Sequence, residues 1–161
     1  MIIGVISDTH GLLRPEVINQ LKESNLILHI GDIGKENVLT DLRRIAPVIA
    51  VRGNCDKGEW AEKLPLTQAV DVENQRFYLI HDIMQIQMDG EAKGANIVIF
   101  GHSHMPSMEY KENVHYLNPG SCGPRRFKLP VSMAVITIEE KRIDLKIIEL
   151  NTNKVLNFIK E

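Results

Sequence analysis

Seven residues carry side chains suited to holding divalent cations, and each directly follows an apolar extended run: Asp8, His10, Asp32, Asn54, His81, His102 and His104. The donors are oxygen and imidazole without thiolate, which suits zinc or other first-row divalent ions and argues against a cysteine–zinc knot. Seven ligands are too many for one ion but suit two that share a bridging carboxylate. Two ions about 3.5–4 Å apart can hold a hydroxide between them and clamp both oxygens of an in-line displacement. That geometry fits hydrolysis of a phosphate ester. Two carboxylates and a hydroxide leave two divalent cations slightly under-neutralised, so a phosphate anion is attracted. Singly, each residue has an ordinary explanation. Asp8 could cap a helix from an Asx turn, and a lone His after a strand is usually a hydrogen-bonded structural residue. Four of the six histidines at strand exits, interleaved with Asp and Asn, weigh against that explanation.

Positioning these groups falls to a regular alternation. Ile2–Ile6 is β-branched with no helical period and reads as a buried strand delivering Ser7-Asp8-Thr9-His10-Gly11. Side chains two apart in an extended segment point the same way, so Asp8 and His10 can converge. Pro15 suits a first helical turn, followed by Val17, Ile18 and Leu21 at helical spacing. Leu26–Ile30 is a second strand ending on Gly31-Asp32, and Val38, Leu39, Leu42 and Ile45 mark a second helix ending near Ala46-Pro47. Val48–Val51 is a third strand, leading into Arg52-Gly53-Asn54-Cys55-Asp56. Such alternation implies right-handed crossovers and a parallel sheet, with Asp8, Asp32 and Asn54 at the edge where ligands bind.

Residues 68–72 and 76–80 read as a hairpin ending in His81-Asp82. Residues 83–93 fit a short helix from about Gln85, with Met84, Met88 and Ala92 on one face; Met84, Met88 and Trp60 read as packing residues. Residues 96–100 form a strand delivering Gly101-His102-Ser103-His104. Short strands follow near 107–109 and 115–117, then the loop Asn118-Pro119-Gly120-Ser121. A long hairpin spans 132–138 and 142–150 around Glu139-Glu140-Lys141, with a weak edge strand from about Lys154. An α/β first half feeding a β-rich second half predicts two sheets packed face to face with helices outside.

At 161 residues the chain reads as one domain, 1–161, burying roughly two-thirds of its unfolded surface. Its net charge of −2 argues against a nonspecific nucleic-acid grip, and it has no basic stripe or aromatic platform. No apolar run approaches the roughly 20 residues of a membrane helix. No cationic lead precedes the first apolar run, so a signal peptide is not expected. Two cysteines, Cys55 and Cys122, make no disulfide framework, and a reduced cytoplasmic setting follows. A glycine-rich phosphate loop and a dinucleotide fingerprint are both missing.

The order and spacing of Asp8-Thr9-His10, Gly31-Asp32, Gly53-Asn54-Cys55-Asp56, His81, Gly101-His102-Ser103-His104 and Asn118-Pro119-Gly120-Ser121 resemble the calcineurin-like metallophosphoesterases, in particular small phosphodiesterases of the YfcE type. The resemblance spans nearly the whole chain. It implies a four-layer α/β/β/α sandwich of two mixed sheets with a dinuclear site. Asp8, His10, Asp32 and His104 would hold one metal, and Asp32 would bridge to a second held by Asn54, His81 and His102. The implied ions are usually manganese, with iron, nickel, cobalt or zinc as variants. The substrate would be a small phosphoester, with Asp32, Asn54 and Cys55 at the catalytic centre. A phosphomonoesterase, or a non-catalytic protein-interaction scaffold on the same fold like the eukaryotic retromer subunit, stands as the alternative. The carboxyl-terminal hairpin offers an edge but no clear seam for a homo-oligomer.

Three departures from the family pattern bear on chemistry. Larger relatives place a His after the metal-binding Asn to protonate the leaving group. Cys55 stands there, and a neutral thiol is a poor general acid, so easily departing leaving groups are expected; the alternative is a small buried filler. Asp82-Ile83 follow His81 where relatives carry Gly and another His, and the interval from His81 to Gly101 is short. Outside the cluster, His29 reads as a strand histidine supporting the site, His115 as a surface residue, and Asp56 as an orienter of Asn54 or Arg52. Of the pair Arg125-Arg126, Arg125 matches the family's Pro-Arg pattern and is the candidate phosphate-binding fork.

Overall fold

The computed structural model describes residues 1–88, 90–140 and 142–158. The predicted first strand is β1 (Ile2–Ile6), followed by α1 (Pro15–Leu21), β2 (Leu26–His29), α2 (Glu36–Arg43), β3 (Val48–Ala50) and a single turn of helix, α3 (Glu59–Glu62). Then come β4 (Thr67–Val72), β5 (Gln75–Ile80), β6 (Ile97–Ile99), β7 (Ser107–Lys111) and β8 (Val114–Asn118). The chain closes with β9 (Ser132–Glu139), β10 (Arg142–Glu149) and β11 (Lys154–Leu156).

Two mixed sheets result, in the orders β11-β10-β9-β1-β2-β3 and β4-β5-β6-β8-β7. In the first, β1, β2 and β3 are parallel neighbours and β9 returns antiparallel to β1. In the second, β5, β6 and β8 are parallel, with β4 and β7 antiparallel at the margins. Every candidate ligand therefore follows the carboxyl end of a parallel strand.

Alternation along the strands explains the layers. Ile3, Val5 and Leu28 meet Phe77, Leu79, Ile97 and Ile99 in the core between the sheets. The opposite face of the first sheet, with Ile6 and Ile27, packs under Val17, Leu21, Val38, Leu39 and Leu42 of the two helices. Truncating a fully buried side chain here, such as Leu79→Ala, costs about 2–5 kcal/mol by the usual cavity penalty. The outer face of the second sheet is covered more thinly. Tyr78, Ile80 and Val98 pack against Ala92 and Ala95 with Ile83 and Ile86 partly buried.

That covering segment departs from the helix expected from about Gln85. A 3-10 turn, Ile83–Gln85, is capped by the Asp82 carboxylate accepting from the Met84 N–H, and turns occupy the described residues from Met88 to Gly94; Asp89, within the expected helix, lies outside the described residues. Asp82 starts the turn, and Ile86, in extended backbone at ψ 139°, ends it after one cycle. The packing role read for Met84 fails with the helix: its side chain is 87% exposed, and that of Met88 40%. Trp60 does pack, against the helical side of the first sheet.

Candidate metal centre

The first strand exit is braced from all sides. Asp8 N–H donates to the Gly31 carbonyl at 3.0 Å, His10 N–H to the Asp32 carbonyl at 2.9 Å, and Ser121 Oγ–H to the Asp8 carbonyl at 3.0 Å. Asp8 Oδ2 accepts from Ser7 Oγ at 2.6 Å and from the His102 N–H at 3.2 Å. Its Oδ1 is buried with no hydrogen-bond partner among the described residues. Three imidazoles surround that oxygen: His104 Nε2 at 3.2 Å, and His10 and His81 Nε2 at 3.9 Å each.

Asp32 is arranged similarly. Its Oδ1 accepts from the Cys55 N–H at 2.8 Å, leaving Oδ2 at 3.3 Å from His81 Nε2 and 3.8 Å from His10 Nε2. One oxygen thus lies between two groups of ligands. The Nδ1–H of His81 donates to the Ile30 carbonyl at 2.7 Å, which fixes the tautomer and leaves Nε2 as a buried lone pair with no hydrogen-bond partner among the described residues. Asn54 Oδ1 lies 3.1 Å from His102 Nδ1. Asp8, His10 and His104 form one group with ligand atoms within 4.8 Å of one another, and Asp32, His81 and His102 form another. All seven predicted ligands gather at one rim. A buried carboxylate oxygen and an imidazole lone pair, each without a partner, facing one another across 3.9 Å are costly unless a cation lies between them. The residues present fit a pair of divalent ions.

Electrostatics follow from the same contacts. Burial by itself raises the Asp8 carboxyl, but the adjacent His104 imidazole, the hydrogen bond from Ser7 and the nearby His81 outweigh it, and the net shift is downward. Burial likewise raises Asp32, yet His81 and the Cys55 N–H carry it well below the carboxylate range. His81 moves the other way: burial lowers it, and the Asp32 and Asp8 carboxylates overcome that to raise it.

Backbone geometry adds what residue types did not reveal. Asp8, His10, Asp32, His102 and His104 all adopt positive φ, between 45° and 70°. Such conformations cost about 1–3 kcal/mol each and persist where surrounding structure enforces them. The readable signals were the tolerance of Asp and His for this region and the glycines flanking them, Gly11, Gly31 and Gly101. Gly101 has a further reason: a Cβ there would collide with Ser7 Oγ and the Asp8 carboxylate. Gly53 likewise lets the third loop press against Asp32.

Supporting residues fall into clear places. His29 is fully buried, accepts from the Gly31 N–H at Nδ1 (3.2 Å) and places Nε2 2.9 Å from Thr9 Oγ1, whose hydroxyl donates to the Ile33 carbonyl at 2.9 Å. Burial pushes it down to about 3, so it is a neutral strut joining the first two loops. Asp56 does not orient Asn54 or Arg52 as expected. Its two oxygens accept from the N–H groups of Gly34 and Gly53, both at 2.9 Å, tying the second and third loops together. Asn118 donates to the Gly101 carbonyl and to Ser103 Oγ, both at 3.1 Å, steadying the loop that carries His102 and His104.

Cys55 is exposed, not a buried filler, and its Sγ falls within the group formed with His10 and Asp32. Desolvation and the Asp32 carboxylate raise its thiol, so it keeps its proton. Arg125 lies on the exposed loop after β8, with Nε donating to the Leu129 carbonyl at 3.3 Å. A cleft of about 510 Å³ opens beside His81, His102 and Asn54, and the arginine lining it is Arg52. Sequence reasoning did not single out Arg52 as lining a cleft, although it sits two residues before Asn54 in the same strand exit.

The arrangement has clear relatives. The model of the calcineurin-like phosphoesterase superfamily domain matches residues 1–141. A probable metallophosphoesterase of Methanothermobacter thermautotrophicus is 37% identical over 160 residues, covering 92% of both chains, and phosphodiesterase YfcE of Escherichia coli is 28% identical over 93% of this chain and 92% of its own. Among solved structures, YfcE superposes with a TM-score of 0.76 at 24% identity, covering 98% and 97% of the two chains. A Vps29 variant of Entamoeba histolytica gives 0.79 at 22% identity over 97% and 96%. No described helix is long and apolar enough to cross a membrane. With its two mixed sheets, its rim of carboxylates and imidazoles and the matched span, this chain belongs to the calcineurin-like phosphoesterase superfamily.

Proposed function

We propose that the chain is a cytoplasmic phosphodiesterase that hydrolyses small phosphoesters with two divalent ions, manganese being the first candidate. The observation carrying this reading is the pair of buried, unpartnered ligand atoms, Asp8 Oδ1 and His81 Nε2, inside the seven-residue rim. Asp8, His10, Asp32 and His104 would hold one ion; Asp32 Oδ2, Asn54, His81 and His102 the other. When bound, such a pair supplies a hydroxide nucleophile at neutral pH and offsets phosphate charge. The protein contributes position. Braced loops hold the carboxylates at fixed places, and Asn54 and His102, both exposed, stand where a phosphate can reach them. Cys55 keeps its proton and lends little to the leaving group, so activated esters should react best.

The test is hydrolysis of bis-p-nitrophenyl phosphate by manganese-loaded protein, with a poorer leaving group and the matching monoester as further arms. The expected result is diester turnover abolished by chelation and lowered at least about a thousandfold by Asp32→Ala, a loss on the scale of removing a central electrostatic group. Turnover that survives chelation contradicts the reading. Faster monoester turnover favours the phosphomonoesterase, and a stable protein complex with no turnover of any ester favours the scaffold.

A further inference from the structure

The cleft next to His81 and His102 holds two opposite charges that do not neutralise one another. Its walls include Arg52, Leu66, Thr67, Asp82 and Gln85. Asp82 directly follows His81, and its carboxylate is fixed in place, Oδ1 accepting from the Met84 N–H at 3.0 Å and Oδ2 from the Gln85 amide at 3.5 Å. Arg52 is half-buried, with its N–H anchored on the Pro65 carbonyl at 2.8 Å. Among the described residues no ion pair joins its guanidinium to Asp82 or to any other carboxylate. A fixed anion and an uncommitted cation therefore line one space, and that space borders three of the candidate ligands.

These charges treat phosphate esters unequally. A diester carries one negative charge and a second alcohol arm; a monoester near neutral pH carries up to two charges and no second arm. Arg52 offers a planar donor fork to a phosphate oxygen of either. With the phosphorus at the neighbouring centre, Asp82 would face the second alcohol arm of a diester, where it could accept from a hydroxyl, but an extra anionic oxygen of a monoester. A like-charge encounter in a partly enclosed cleft is unfavourable, and a filter of this kind acts by repulsion as much as by attraction. Thr67 and Gln85 add polar partners for a hydroxylated arm, while Leu66 supplies apolar contact.

We propose that Arg52 and Asp82 form a charge filter in this cleft, selecting a singly charged phosphodiester with a hydroxyl-bearing alcohol arm and rejecting doubly charged phosphomonoesters. The inference rests on the proposed function for the neighbouring centre but is read by binding. The probes are phenylphosphonate and its monomethyl ester, neither an ester of phosphoric acid, titrated calorimetrically into the manganese-loaded full chain at a pH where the first is doubly charged. In wild type the monoanion should bind at least as tightly as the dianion. Asp82→Asn, which keeps an oxygen for the Met84 N–H, should tighten the dianion about tenfold and leave the monoanion within about twofold. Arg52→Gln should weaken both about tenfold. Equal shifts for both probes in Asp82→Asn, or none, overturn the filter, as does unchanged binding in Arg52→Gln. The same preparations assayed with bis-p-nitrophenyl phosphate separate the two claims: the predicted binding pattern without turnover keeps the filter and defeats the hydrolase, and turnover with unaltered probe selectivity does the reverse.

Discussion

The two halves of the candidate centre are built to different standards. Asp8, His104 and Asp32 are almost wholly buried, and the loops of Asp8 and Asp32 are stitched by backbone bonds from residues 8, 10 and 11 to residues 31, 32 and 33. His10 completes that half and is only partly exposed. In the other half, His81 is buried but Asn54 and His102 lie on exposed turns, with only 3.1 Å between Asn54 Oδ1 and His102 Nδ1 linking their side chains. The inner half is ordered before any ion arrives, so binding there needs little rearrangement. The outer half faces the cleft and trades rigidity for access. On the proposed reading, one rim would combine a firmly held ion with a more approachable one.

Breaking the two halves separately should expose the contrast. His104→Ala removes an inner ligand and should eliminate the tighter ion, dropping its affinity by at least about a hundredfold; His102→Ala should leave one tightly held ion and weaken the second by about ten- to a hundredfold. Calorimetric titration with manganese reads the difference: the ion left in His102→Ala should bind more tightly than the one left in His104→Ala. Equal affinities of the remaining ion in the two variants contradict the asymmetry.

The strut beneath the inner half comes next. His29→Leu leaves the Gly31 N–H and Thr9 hydroxyl without their imidazole partner, which should cost about 1–3 kcal/mol of stability and weaken the inner ion about tenfold. Thermal unfolding with and without manganese measures both. His29→Gln should recover part of each, since an amide can accept from one group and donate to the other.

The smallest effect is in pH. The folded metal-free protein raises His81 above its ordinary value of 6.5, so a proton competes with the ion for Nε2. Metal affinity should therefore rise as pH increases through and beyond 6.5, by several-fold per unit at most. Stability of the metal-free protein has the opposite sign. The His81 contribution is fully present below the unfolded value and fades as pH rises through the raised one, whereas those of Asp8 and Asp32, both lowered from 3.8, hold above that value and fade on acidification. Unfolding temperatures across pH, with and without metal, should diverge above pH 6.5.

Much of this site could be read before the structure because its residues follow strands. Apolar β-branched runs before Asp8, Asp32 and His102 fixed where each ligand would emerge, and parallel order put those exits on one rim. What sequence could not show depends on three-dimensional contact. The Asp56 bonds to Gly34 and Gly53 join loops 22 and 3 residues away, with no periodic trace. The segment after His81 resisted reading because the backbone becomes extended at Ile86 and breaks an apparently helical Met84–Met88–Ala92 stripe, of which only Ala92 is buried. Arg52 was obscured because a charged residue beside a turn looks the same whether it faces solvent or a cleft.

The central claim, that this rim cradles two cations, is tested most directly by anomalous diffraction from crystals soaked in manganese. Two peaks are predicted about 3.5–4 Å apart, one beside Asp8, His10 and His104 and one beside Asn54, His81 and His102, with Asp32 Oδ2 between them. A single peak outside these ligands, or no peak at saturating manganese, would contradict it.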